Sequence, residues 1–297
     1  MRRTPIVRPG PGSFGVDVEL VLKLECLQHT GSFKPRGAFN TVLSADVGPA
    51  GVVAASGGNH GAAVAFVARA LGMRAEVFVP ELCPQVKRQR IAQLGATVTV
   101  GGAIYDDAQV AATQRAGDTG ALLVHPYDAV TTVAGQATCG RELAEDMPDV
   151  DVVVVAVGGG GFAAGIAIGF PPPARLVTVE PDTSACLHAA LAAGRPVEVE
   201  VSGLAADSLG TRRVGEVPWT VLRDRVDTSV TVPDGAIAAA QRALWQELRL
   251  VVEPGGAAAL AGLMAGAVPV APTDRVAVLV CGSNTDPATV AGPAPAR

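Results

Sequence analysis

The stretch Asp151-Val152-Val153-Val154-Val155-Ala156-Val157, followed directly by Gly158-Gly159-Gly160-Gly161-Phe162 and the small apolar run Ala163-Ala164-Gly165-Ile166-Ala167-Ile168, decides how this chain is read. A continuous apolar run from Val152 to Val157, mostly β-branched, suits a strand buried on both faces, the usual condition of a parallel sheet covered by helices. The helical run then leads to a second strand pattern, Arg175-Leu176-Val177-Thr178-Val179-Glu180. The same order occurs earlier, with Gly51-Val52-Val53-Ala54-Ala55, an Ala-rich stretch from Ala62 to Leu71, and Ala75-Glu76-Val77-Phe78-Val79. Strands alternating with helices predict an α/β protein built on parallel sheets.

The 297 residues, 49% hydrophobic and 17% charged, suffice for one large or two modest domains. A net charge of -5, spread along the chain, provides neither the basic stripe of a nucleic-acid protein nor a basic membrane-binding face, so a small-molecule partner is expected. The N-terminus, Met1-Arg2-Arg3-Thr4-Pro5-Ile6, is basic without the apolar stretch of a secretory signal, and no apolar run reaches membrane-spanning length; a cytoplasmic location is expected. Cys26, Cys83, Cys139, Cys186 and Cys281 form no close pair and no metal-ligand spacing, so no disulfide framework and no metal are expected. The low-complexity tail Ala291–Arg297 is expected to fray and to carry no chemistry.

Lys23, Lys34 and Lys87 are the only lysines among 23 basic residues. A primary amine at a chosen position matters because a desolvated ammonium can lose its proton and attack an aldehyde, whereas guanidinium stays charged. Lys23 alternates with apolar neighbours and reads as the exposed side of a strand, and Lys87 reads as the wet side of a helix. Lys34 lies in Thr30-Gly31-Ser32-Phe33-Lys34-Pro35-Arg36-Gly37-Ala38, a turn-forming setting that by itself also suits a solvated loop charge.

Three further segments follow strand patterns. Ser56-Gly57-Gly58-Asn59-His60-Gly61 opens a helix, and its converging backbone amides suit a carboxylate. His60 reads as a support for that loop in preference to a proton-transfer group. Gly158 to Phe162 suits a phosphate in the same way, although Gly158, Gly160 and Ala163, with Glu180 about 20 residues on, also match a dinucleotide fingerprint. Cys281 ends the strand pattern Arg275-Val276-Ala277-Val278-Leu279-Val280, where a thiol faces either a ring or the core.

Taken in order, Lys34, the Asn59 loop, the glycine run and Cys281 resemble the serine and threonine dehydratases, which use pyridoxal 5'-phosphate (PLP). His125-Pro126-Tyr127-Asp128, Ala134-Gly135-Gln136, Glu180-Pro181, Gly203-Leu204-Ala205-Ala206-Asp207 and Glu253-Pro254-Gly255-Gly256-Ala257 extend the likeness over almost the whole chain. For Asp207 and Glu253 the reading stays open between a site role and loop pairing. The resemblance implies fold type II: two three-layer α/β domains, a small one over 48–129 inserted in a large one over 1–47 and 130–297. It implies that Lys34 forms a Schiff base with PLP and acts as the catalytic base. Ser56, Gly57, Gly58, Asn59 and His60 would hold the substrate carboxylate, with Asn59 also on the ring hydroxyl. Gly158, Gly159, Gly160, Gly161 and Phe162 would hold the phosphate, and Cys281 the pyridine nitrogen. The implied reaction converts L-threonine or L-serine to a 2-oxo acid and ammonia in a homodimeric enzyme.

Departures narrow this expectation. Serine racemases of the same fold carry a second hydroxyl residue where this chain has Gly57, and at their divalent-cation site this chain has Ser184 and Cys186, so neither racemisation nor a bound metal is expected. Cysteine synthases have a threonine-rich phosphate loop instead of a glycine run. The chain ends soon after Asn284, so no regulatory domain is expected. The alternatives are a racemase or other β-eliminating or β-replacing relative, a nicotinamide-dependent oxidoreductase, and a non-catalytic ligand binder.

Overall fold

A computed structural model describes residues 1–291; the tail beyond Ala291 lies outside the described residues. The strands are β1 (Ile6–Val7), β2 (Glu19–Lys23), β3 (Val52–Ala55), β4 (Ala75–Val79), β5 (Thr97–Val100), β6 (Leu122–Leu123), β7 (Val152–Ala156), β8 (Arg175–Pro181), β9 (Thr228–Val232) and β10 (Arg275–Leu279). They form two sheets, one ordered β1-β2-β10-β7-β8-β9 and the other β5-β4-β3-β6. Every pairing among these described strands is parallel except β1 with β2. The helices are α1 (Lys34–Leu43), α2 (Asn59–Ala70), α3 (Gln85–Gln93), α4 (Tyr105–Thr119), α5 (Val130–Asp146), α6 (Gly161–Gly169), α7 (Cys186–Ala193), α8 (Ala206–Leu209), α9 (Glu216–Arg225), α10 (Asp234–Leu248), α11 (Pro254–Met264) and α12 (Pro287–Ala291). None of those described is long and apolar enough to cross a membrane.

The valine run of β7 shows why the large sheet is covered twice. Successive side chains of a strand point to opposite faces. Val152, Val154 and Ala156 join a core with Leu244 of α10 and Leu260 of α11, while Val153, Val155 and Val157 join one with Leu143 of α5, Ile166 of α6 and Leu222 of α9. The small sheet repeats the arrangement. Val52 and Ala54 meet Val64 and Val67 of α2, and Val53 and Ala55 meet Ala108 and Ala112 of α4. Ala38 and Val42 of α1 join the α2 side of that core, so the helix that begins at Lys34 packs against the small sheet.

Lys23 departs from its expected exposure. It is fully buried, and its Nζ donates to the Thr4 carbonyl at 2.8 Å and to Glu142 at 2.9 Å. Alternation along β2 signals an exposed face only where one face is open, and here α5 covers it. The same pocket holds Arg36, whose guanidinium donates to Glu25 at 2.7 Å and to Glu142 at 2.7 Å, with Arg36 and Glu25 both wholly buried. Such charges are tolerated inside only when paired and hydrogen-bonded. This cluster ties the first turn of α1 to β2 and α5, two residues beyond Lys34.

Candidate active site

Parallel strands place their following loops at one sheet edge, where crevices form at the carboxyl ends of the strands. Register then sets which loops meet. Val278 lies opposite Val154, so the end of β10 carries Cys281 to the level at which β7 gives way to Gly158. The lysine segment is strapped alongside: Ser32 bridges Gly282 antiparallel, Phe33 N–H donates to the Cys281 carbonyl at 3.1 Å, and Ser283 N–H donates to the Gly31 carbonyl at 2.8 Å.

Lys34 starts α1, with Pro35 next to it in the first turn, where its missing N–H costs nothing. The residue as a whole is half-buried, and its ammonium donates to the Pro126 carbonyl at 2.9 Å. Burial pushes it down to about 8, against the opposing pull of Cys281 and Glu253. With a carbonyl and no carboxylate as its hydrogen-bonded partner among the described residues, this amine is poised to give up its proton. Phe33, beside Lys34, stacks on Phe162 with ring centroids 4.1 Å apart, so the lysine segment packs directly on the first turn after the glycine run.

The glycine run ends in α6, whose first N–H groups have no partner within the helix and so can serve as anion donors. The room left by the absent side chains is filled by protein. A Cβ on Gly159 would overlap the Tyr127 ring, and one on Gly158 would press on the Leu209 backbone at 3.2 Å. Gly160 has φ of +90°, a region that favours glycine. The glycines therefore admit Tyr127, which composition and spacing gave no reason to single out.

The Ser56 loop is self-braced, because Ser56 Oγ accepts from Gly58 N–H at 3.1 Å and a Cβ at Gly61 would overlap the Ser56 carbonyl. At Gly57 an added Cβ would overlap the Cys83 sulfur, so this position lacks room for a larger residue as well as lacking a hydroxyl. His60 is buried and bonded through Nε2 to the Val124 carbonyl at 2.7 Å, and burial pushes it down to about 3. It is held neutral, which supports the reading of His60 as a brace. Asn59 donates from Nδ2 to Glu253 Oε1 at 2.7 Å, and its Oδ1 accepts from Asn284 Nδ2. Burial pushes Glu253 up to about 7. A cavity of about 60 Å³ opens beside these groups, lined by Gly57, Gly58, Asn59, Asp207, Glu253 and Asn284. Lys87 of α3 pairs with Asp207 of α8 at its mouth, so Lys87 is an ion-pair partner as well as a solvated charge.

Cys281 is buried, and its Sγ donates to the Gly255 carbonyl at 3.3 Å. Burial pushes its thiol well up, which keeps it neutral. All five cysteines are free. Glu180, the acidic member of the dinucleotide fingerprint, is buried with its carboxylate accepting from Leu187 N–H at 2.8 Å and His188 N–H at 2.7 Å. It closes the N-terminus of α7 and has no face turned outward to a ribose.

The arrangement suits PLP: an amine of lowered basicity, a helix N-terminus for a phosphate, and a neutral buried thiol converge at one edge. Comparison with known proteins agrees. A family described as pyridoxal-phosphate dependent enzyme matches residues 1–282, and the chain belongs to that family. An L-threonine ammonia-lyase of Geobacter sulfurreducens is 37% identical over 298 residues, spanning 98% of this chain and 73% of its relative. Among solved structures, a T.th. threonine deaminase is similar with a TM-score of 0.89 and 35% identity, covering 96% of this chain and 94% of the other. Maize serine racemase superposes with a TM-score of 0.90 at 31% identity, covering 96% of this chain and 89% of the other. These neighbours have the fold type II architecture, and PLP is the cofactor of the family.

Proposed function

We propose that this chain is a PLP-dependent ammonia-lyase that converts L-threonine, L-serine or both to 2-oxobutanoate or pyruvate and ammonia. The observation that carries the reading is Lys34, an amine of lowered basicity strapped beside Cys281 and packed through Phe33 on the helix that follows the glycine run. The similarity to a named L-threonine ammonia-lyase along nearly the whole chain supports threonine as the first substrate to test.

In this reading Lys34 holds the cofactor covalently, the α6 N-terminus from Gly158 to Phe162 takes its phosphate, Asn59 its ring oxygen, and Cys281 its ring nitrogen. Bound PLP supplies an electron sink for negative charge that develops at the substrate Cα. Ser56, Gly57, Gly58, Asn59 and His60 line the loop that receives the substrate carboxylate, with His60 acting as its brace. Once the substrate amine has taken the place of Lys34 on the cofactor, the freed Lys34 Nζ would remove the Cα proton. The β-hydroxyl would leave as water, protonated by the cofactor phosphate or by Lys34, and a further water would release the 2-oxo acid and ammonia. Because Cys281 is neutral, it does not hold a ring nitrogen protonated as a carboxylate would, which favours prompt loss of the β-substituent over transamination. Gly57 provides no hydroxyl for proton transfer on the far face, which favours elimination over racemisation.

The division into a small domain over 48–129 and a large one over the remainder, a homodimeric state, and a cytoplasmic location belong to the same reading. The test is borohydride reduction of the purified protein with PLP, peptide mapping, and assay of ammonia and 2-oxo acid from each amino acid. A reduced adduct on Lys34 and turnover lost in Lys34→Ala are expected; substantial activity in that variant refutes the assignment.

A further inference from the structure

The hydrogen bonds around Asn59 run in one direction. Thr30 sits at φ of 61°, strained for a β-branched residue, and its carbonyl is directed at the Asn284 amide. A carbonyl only accepts, so Asn284 must present its Nδ2, which donates to the Thr30 carbonyl at 2.9 Å. The same Nδ2 donates to Asn59 Oδ1, so both of its hydrogens are engaged. Asn59 must then turn its own Nδ2 the other way, where Glu253 Oε1 accepts at 2.7 Å. One Nδ2 hydrogen of Asn59 remains. Arg90 Nη2, which donates to the same Thr30 carbonyl at 3.0 Å, holds the starting point in place. Glu253 in turn is pinned from its backbone, since its N–H donates to the Gly282 carbonyl at 3.1 Å.

We propose that Asn284 and Glu253 are positioning residues whose hydrogen bonds set which end of the Asn59 amide meets the PLP ring oxygen. This rests on the functional reading above, in which Asn59 takes that oxygen. An amide left without these two neighbours turns over at little cost and presents its own oxygen to the ring oxygen, acceptor against acceptor. The relay crosses the fold: Thr30 and Asn284 lie in the loops that follow β2 and β10 of the large sheet, Asn59 heads the helix that follows β3, and Glu253 precedes α11. It therefore assembles only when both sheets are in place.

The experiment is titration of the apoprotein with PLP, read by the visible band of the bound cofactor, its pH dependence and the dissociation constant. Asn284→Asp substitutes an acceptor for both donated hydrogens and reverses the relay; the dissociation constant is expected to rise about tenfold or more, with a displaced pH profile of the band. Asn59→Ala should lose a similar amount, and Asn59→Ala/Asn284→Asp no more than about twofold beyond Asn59→Ala alone, because the second change acts only through the first. Glu253→Gln retains an oxygen for Asn59 and should keep the wild-type band, whereas Glu253→Leu should follow Asn59→Ala. Thermal melting of each apoprotein separates misfolding from misorientation, and the Glu253 pair decides the matter where Asn284→Asp melts early. Losses that multiply in the double variant, or wild-type binding by both Asn284→Asp and Glu253→Leu, overturn the relay. Absence of PLP uptake by the wild-type chain overturns the functional reading itself, and the relay with it.

Discussion

Replacing Lys34 by methionine keeps most of the stem and removes the charge, and the structure sets how the stability of the apoprotein should respond to pH. Burial lowers the ammonium from its ordinary 10.5 to about 8. Between these values the unfolded chain binds a proton that the folded chain does not, so stability rises with pH across this window. Below about 8 both states are protonated and the folded state bears the full cost of the buried charge. The difference of 2.5, at 1.36 kcal/mol each, makes that cost about 3 kcal/mol at pH 7, falling below about 1 kcal/mol at pH 10. Lys34→Met carries no such term, although it loses the bond to Pro126, a contribution that does not vary with pH in the same way. Urea denaturation of both apoproteins from pH 7 to 10 should therefore show wild type gaining about 2.5 kcal/mol on the variant. A parallel pair of pH curves, or wild type losing ground as pH rises, refutes the claim that Lys34 is desolvated and ready to deprotonate.

Arg36→Ala strands Glu25 inside without its guanidinium partner and should cost about 3–5 kcal/mol in chemical denaturation, far more than loss of the exposed Arg141–Glu145 pair. Gly159→Ala drives a methyl into the Tyr127 ring; a destabilisation of about 1–3 kcal/mol with weaker PLP retention is expected, measured by melting and by cofactor titration. Gly57→Ser should destabilise by a similar amount through the Cys83 sulfur without conferring racemisation, and Cys83→Ala in the same chain should restore most of the loss in a thermal melt. A pH profile of turnover in His60→Gln with the same limbs as wild type is expected, since His60 is held neutral far below the working range.

Much of this was legible in the residues. A six-residue apolar run before four glycines has one comfortable home, a strand covered on both faces leading into a helix, and the repeats of that order gave the α/β class. The rarity of lysine drew attention to Lys34, because only an amine does the chemistry that arginine cannot. Lys23 misled for the reciprocal reason: an alternating pattern reports which side chains share a face, and whether that face is wet depends on α5, more than a hundred residues away in sequence. Glu180 likewise matched a spacing, yet its carboxylate caps α7.

Periodicity and residue chemistry, being local, were enough for the strands, the helices, the reactive amine and the anion-binding turns. Tertiary structure alone decided the rest: that the glycine run makes room for Tyr127, that Phe33 stacks on Phe162, that Lys34 is desolvated, and that Thr30, Asn284, Asn59 and Glu253 hand one hydrogen-bond direction from segment to segment. Each of these depends on strand register and on burial by distant parts of the chain, and neither is encoded in the spacing of neighbouring residues.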